Sequence, residues 1–189
     1  DVVMLEAGGH FTRDDFTLDE ADAYPGLYQG AGAWATDDLA ITILQGRTVG
    51  GSTTVNWTTS YRTPERILQR WQQRGIDTLD TATLSPHWDS VEERLNIHEW
   101  PISAINANNA ILHRGCTKLG WDVHPLRRNV RGCMNSGYCG LGCPVDAKQA
   151  MHVTYLPDAA RDGLRLYADV RVERIEHRNR SVEAIHALV

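Results

Sequence analysis

The sequence predicts an α/β protein in which a parallel sheet is accompanied by helices over 64–73, 86–95 and 103–119 and by a small antiparallel element at the tail. Three observations carry this. Asp1-Val2-Val3-Met4-Leu5 is an apolar strand that ends in Glu6 and then small residues, as a strand of a nucleotide-binding parallel sheet does at its C-terminal edge. Thr63-Pro64 and Ser85-Pro86 each set a capping hydroxyl beside a proline, which tolerates the first helical position, ahead of ERILQRWQQR and HWDSVEERL. Residues 164–178 and 182–189 have strand character, with the turn-forming Asn179-Arg180-Ser181 between them.

In chain order, the strand is followed by irregular sequence to about residue 39, a short apolar segment at 40–44, and a Gly-rich turn leading into a helix near 51–60. After the two Pro-initiated helices, the apolar periodicity of 103–119 is closed by Gly120, and a fourth helix is expected after Asp146 through the Ala-Lys-Gln-Ala-Met run. Residue 1 already lies inside a strand, and 182–189 stops at Val189 with nothing to close it. The chain is therefore expected to be part of something longer, incomplete at both ends.

With 189 residues, 42% hydrophobic and 23% charged, the composition is that of a globular protein with a core of its own. The balance of 19 Lys and Arg against 24 Asp and Glu leaves a net charge of -5, which argues against a phosphate-tracking nucleic-acid binder. No apolar run reaches the roughly 20 residues of a membrane span, and no signal peptide is visible.

Two constellations carry chemistry. Glu6 stands where a carboxylate, an acceptor only when ionised, takes both hydroxyls of a ribose. The GxGxxG turn that usually accompanies it would lie about 20 residues upstream, before residue 1. The second is Gln45-Gly46-Arg47-Thr48-Val49-Gly50-Gly51-Ser52-Thr53-Thr54-Val55-Asn56-Trp57. Paired glycines let backbone N–H groups approach a pyrophosphate, and Ser52 and Thr53 offer hydroxyls at a helix start, where the dipole favours anions. Each string also serves as an ordinary strand end or a capped turn.

A third constellation is Cys133-x5-Cys139-x3-Cys143-Pro144, with Cys116 on the predicted helix upstream. Three close thiols in a Gly-rich loop suit structural thiols or a disulfide, a [3Fe-4S] centre, or zinc with a fourth ligand. The eight histidines are scattered without metal-ligand spacing. Asn56-Trp57-Thr58 and Asn179-Arg180-Ser181 match the glycosylation sequon, a pattern short enough to arise by chance.

Taken together, Leu5-Glu6-Ala7-Gly8-Gly9, Gly46-Arg47-Thr48-Val49-Gly50-Gly51-Ser52-Thr53-Thr54-Val55-Asn56, Gly142-Cys143-Pro144-Val145-Asp146-Ala147-Lys148-Gln149, Tyr155-Leu156-Pro157-Asp158-Ala159 and Val172-Glu173-Arg174-Ile175 make the chain resemble the glucose-methanol-choline (GMC) oxidoreductases. LAITILQGR, NWTTSYRTP and the Cys-rich stretch resemble the bacterial alcohol or sugar dehydrogenase and long-chain alcohol oxidase branches.

The resemblance implies a Rossmann-like FAD-binding portion, with Glu6 on the adenosine ribose, Gly50, Gly51, Ser52 and Thr53 beside the pyrophosphate, Asn56 near the flavin and Val172 at the adenine edge. Where some members attach the flavin to a histidine, this chain has Val55, so FAD is expected to be held non-covalently. Some sugar dehydrogenases of the family hold a [3Fe-4S] cluster in a similar Cys-rich loop, which makes Cys133, Cys139 and Cys143 candidate ligands; the first spacing there is tighter than here.

The resemblance also divides the chain. Residues 1–62 are a partial FAD-binding domain without its first strand, and 63–130 a helical segment toward the substrate side. Residues 131–160 are the Cys-rich loop and helix, and 161–189 return to the FAD domain as a β-hairpin. The expected function is FAD-dependent oxidation of the CH–OH group of an alcohol or sugar, with a cytochrome or another electron acceptor as partner. The alternative is an electron-transfer flavoprotein subunit of a dehydrogenase complex with an iron-sulfur centre. No catalytic residue is expected in this chain, because the family's histidine base lies in the C-terminal part of the protein.

Overall fold

The computed structural model describes residues 2–76 and 78–189; Asp1, at which the predicted strand begins, lies outside them. The protein is α/β, and it divides into two units, one formed by residues 1–57 with 131–189 and the other by 58–130.

In the first unit β1 (Val2–Leu5) pairs in parallel with β4 (Leu164–Tyr167), in a register that sets Val2 opposite Leu164 and Leu5 opposite Tyr167. The expected strand 164–178 is two strands. Asp169 takes a left-handed backbone (φ 58°), so 164–167 turns toward β1 while β5 (Arg171–Arg178) pairs antiparallel with β6 (Ser181–Leu188). The hairpin turn has Asn179 and Arg180 at φ 48° and 66°, the twist a two-residue connection needs, and Ser181 already belongs to β6.

The irregular reading of the first 39 residues misses α1 (Glu20–Leu27), whose Asp19 carboxylate accepts the Ala21 N–H at 2.9 Å. Ala23 and Leu27 on this helix bury against Phe16, Tyr28, Val55 and Leu141, with Phe11, Leu18 and Tyr24 packed around them.

The helix expected near 51–60 is only a 3-10 turn, Gly51–Thr53, with left-handed Thr58 (φ 64°) shortly after it. The helix expected after Asp146 is also displaced: α5 is Tyr155–Arg161, preceded by a 3-10 turn over Met151–Val153. Asp146 is left-handed (φ 52°), and the Gln149 side-chain amide donates to the Asp146 and Ala147 carbonyls, taking acceptors that a helix would give to its own amides.

In the second unit α2 (Glu65–Gln72) follows Pro64 as expected and buries Leu68 completely. α3 (Thr81–Arg94) begins a turn and more before the expected Pro86. Asp80 caps it at 2.8 Å from the Thr83 N–H, and the Ser85 hydroxyl, read as the cap, donates back to the Thr81 carbonyl at 2.7 Å. β2 (Ile97–Glu99) pairs antiparallel with β3 (Arg127–Asn129). The 103–119 segment becomes a 3-10 turn over Ile102–Ala104 and then α4 (Ala107–Lys118), because Asn106 caps at the Asn109 N–H; Gly120 (φ 69°) closes it. No helix among the described residues is long and apolar enough to cross a membrane.

Candidate functional site

The first unit brings the two sequence constellations together. β1 leads directly into Glu6, whose N–H donates to the Tyr167 carbonyl and whose carbonyl accepts the Val170 N–H, both at 2.9 Å. One carboxylate oxygen of Glu6 accepts the Gly8 N–H at 2.8 Å, which leaves the remaining acceptor positions of this half-buried group open to a ligand.

Gly8 must be glycine, since a Cβ there would fall inside the Arg47 carbonyl. Beyond it Gly9 bridges Thr48 in parallel: its carbonyl accepts the Val49 N–H at 2.9 Å and the Thr48 hydroxyl at 3.0 Å. The Arg47 guanidinium donates to the Ala7 carbonyl at 2.9 Å. Beside this seam lies a cleft of about 390 Å³, lined by Gly8, Gly9, His10, Phe11, Pro25, Gly26, Arg47 and Asp169.

The turn that follows is built on close backbone approach. A Cβ on Gly46 would lie 2.6 Å from the Gly51 carbonyl oxygen, and one on Gly50 (φ 93°) 2.7 Å from the Thr54 hydroxyl. Gly51 (φ 56°) differs, because a Cβ there would meet no described atom within 4 Å beyond its own chain neighbours.

The Gly51 N–H is committed to the Thr48 carbonyl at 2.7 Å, and the Thr53 hydroxyl donates to the Gly50 carbonyl at 2.5 Å while accepting the Met151 N–H at 3.0 Å. These two groups build the turn. Exposed Ser52 accepts the Gly46 N–H at 3.0 Å and keeps its own proton for an outside acceptor. Asn56 lies at the end of the turn, its N–H bonded to the Ser52 carbonyl at 2.9 Å. Val172 sits at the start of β5 opposite Ala187, side chain partly exposed, two residues beyond the Val170 amide that meets Glu6.

Two residues that the sequence did not single out stand behind the turn. Lys148, 2% exposed, donates its three ammonium protons to the carbonyls of Thr54 (2.6 Å), Asn56 (3.0 Å) and Cys139 (2.6 Å). Burial pushes this ammonium down to about 8, and the neighbouring Cys139 and Cys143 thiols draw it back up. His152 lies with Nδ1 at 3.2 Å from the Thr54 hydroxyl. That hydroxyl gives its proton to the Val49 carbonyl, so Nδ1 carries the proton of the pair, and burial holds the imidazole below its usual pKa. For the first of these the sequence signal is its place in the 142–149 motif, with no role attached to it.

Of the readings open for the cysteines, a gathered ligand set finds no support: among the described residues no three His, Cys, Asp or Glu side chains converge as a metal-holding group, and all four cysteines are thiols. Cys133 Sγ accepts the Asn135 N–H and Cys143 Sγ the Lys148 N–H, each at 3.4 Å.

Comparison with known proteins matches residues 24–188 to the family model described as GMC oxidoreductase. An uncharacterized GMC-type oxidoreductase of Mycobacterium tuberculosis is 37% identical over 181 residues, which are 94% of this chain and 29% of that protein. A long-chain-alcohol oxidase of Arabidopsis thaliana is 33% identical over 92% of this chain and 23% of its own length. An uncharacterized GMC-type oxidoreductase of Sinorhizobium fredii is 32% identical over 92% of this chain and 35% of its own length. The chain thus spans about a third or less of the length of these relatives. It belongs to the GMC oxidoreductase family, whose members are FAD flavoproteins acting on CH–OH donors.

Proposed function

We propose that this chain supplies the adenosine-ribose and pyrophosphate part of a non-covalent FAD site, in an oxidoreductase that oxidises the CH–OH group of an alcohol or sugar. The observation that carries the reading is the seam between Gly9 and Thr48, which sets the Glu6 carboxylate and the Gly50–Asn56 turn in one unit. The chain's residues fit the cofactor. Glu6 keeps acceptor positions for ribose hydroxyls, Gly51 leaves open the space a side chain would fill, and Ser52 offers a proton to a phosphate oxygen.

FAD, when bound, supplies the acceptor for a hydride. Asn56 ends the turn on the flavin side, and Val172 presents backbone groups to the adenine edge. Val55, 4% exposed within the core, has no nucleophile with which to attach a flavin. Similarity to plant long-chain-alcohol oxidases supports an alcohol as donor.

The test is Glu6→Ala in the protein that carries this chain. Loss of hydrogen bonds to a charged group, about 1.5–3 kcal/mol, should weaken FAD retention roughly ten- to a hundred-fold. Unchanged FAD content after dialysis removes Glu6 from the site.

A further inference from the structure

We propose that Lys148 is the positioning residue of the cofactor turn, its ammonium gathering the Thr54, Asn56 and Cys139 carbonyls and so fixing Gly50–Asn56 in the form that receives the pyrophosphate. The inference rests on the FAD reading above. A tetrahedral ammonium has three protons, and here each finds a carbonyl, two of them more than ninety positions away in sequence. The Thr54 and Asn56 carbonyls lie just past the 3-10 turn Gly51–Thr53, so the ammonium grips the chain where that turn ends.

Among the described residues no carboxylate is hydrogen-bonded to the ammonium; the titratable groups around it are the Cys139 and Cys143 thiols and the His152 imidazole, which itself feels Asp146 and His10. Burying an ammonium against neutral dipoles is expensive, and an apolar side chain of the same volume gives stability more cheaply. What the apolar residue cannot give is a fixed direction for three oxygens at once. The consequence falls on the turn, where a Cβ on Gly51 would face open space beyond its own chain neighbours.

The test uses Lys148→Met beside Glu6→Ala in the protein that carries this chain, with amide exchange of residues 50–56 followed in the FAD-free state. Lys148→Met should raise exchange across 50–56 by about tenfold or more and weaken FAD retention by a similar factor, while β1, β4 and the β5–β6 hairpin keep their protection. Wild-type exchange over 50–56 in Lys148→Met overturns the proposal. So does a loosened turn with full FAD retention, if Glu6→Ala has lost its FAD. Full retention in both variants overturns the FAD reading instead.

Should Lys148→Met fail to fold, Lys148→Gln is the second variant: its shorter neutral amide has two N–H donors and cannot serve all three carbonyls, so exchange across 50–56 should rise several-fold while β1, β4 and the β5–β6 hairpin keep their protection. Wild-type exchange across 50–56 in Lys148→Gln overturns the proposal.

Discussion

The Tyr28 phenol donates to the Gly140 carbonyl at 2.7 Å, tying the end of α1 to the Cys-rich loop across 112 positions of sequence. Burial raises the phenol above its ordinary pKa, so it remains a donor through the neutral range. Tyr28→Phe keeps the ring and leaves a buried carbonyl without its partner. A loss of about 1–3 kcal/mol is expected in denaturant titration; an unchanged midpoint and slope would show that the loop is held without this bond.

Glycines 8 and 51 should respond in opposite ways. Gly8→Ala drives a methyl into the Arg47 carbonyl, at a place where backbone meets backbone, and should lower stability by on the order of 3 kcal/mol or prevent folding. Gly51→Val meets nothing inside the chain and costs only the strain of a branched residue at φ 56°, about 1–3 kcal/mol. Its effect should be read in FAD, whose retention should collapse while the thermal transition shifts modestly. A folded Gly51→Val protein with full FAD content would move the pyrophosphate away from this turn.

The 58–130 unit has an acid-sensitive joint. Glu92 takes Arg62 Nε and Nη2 at 2.8 and 2.7 Å and Arg127 Nη1 and Nη2 at 2.6 and 2.9 Å, and these hydrogen bonds hold its carboxyl at about 2. A carboxyl with a depressed folded pKa contributes stability above the unfolded value of 4.5, and that contribution is lost as pH falls through 2. With Arg62 and Arg127 side chains 35% and 38% exposed, solvent screens the pair, and about 1–2 kcal/mol is a reasonable size. Glu92→Gln should flatten stability between pH 4.5 and 2, measured by amide exchange over 58–130. A slope equal to wild type would assign the acid sensitivity elsewhere.

For the cysteines the expected outcome is a protein without iron. Anaerobic purification should give flavin with neither iron nor acid-labile sulfide, since no three metal-ligating side chains converge among the described residues. Stoichiometric iron and sulfide would require the loop to rearrange. Cys143→Ser should cost stability modestly through the Lys148 N–H contact.

Much of this site was legible because it is written in local chemistry. An apolar run ending in Glu6 gives a strand with a carboxylate at its tip, Gly50 and Gly51 mark a left-handed turn, and Asn179 marks the hairpin. What escaped depended on distant partners. α1 carries Pro25 inside a stretch with no clear helical periodicity, although Asp19 caps it and the core takes Ala23 and Leu27. The Ala147-Lys148-Gln149-Ala150 run has good helix formers, yet Lys148 is drawn to carbonyls at 54 and 56, and Gln149 occupies the acceptors a helix would use. Local propensity cannot foresee either partner.

The pairing of Val2 with Leu164 joins positions separated by most of the described chain, and residues Thr58–Val130 fall between them in sequence. In kinetic terms this is a seam of high contact order. Loop-closure entropy must be met before β1 and β4 reward one another, whereas the helices of the inserted unit form from neighbours in sequence. Glu6 is therefore expected to reach its place late in folding. Ribose hydroxyls bound there would act on the chain as a latch closing after the rest of the structure is made.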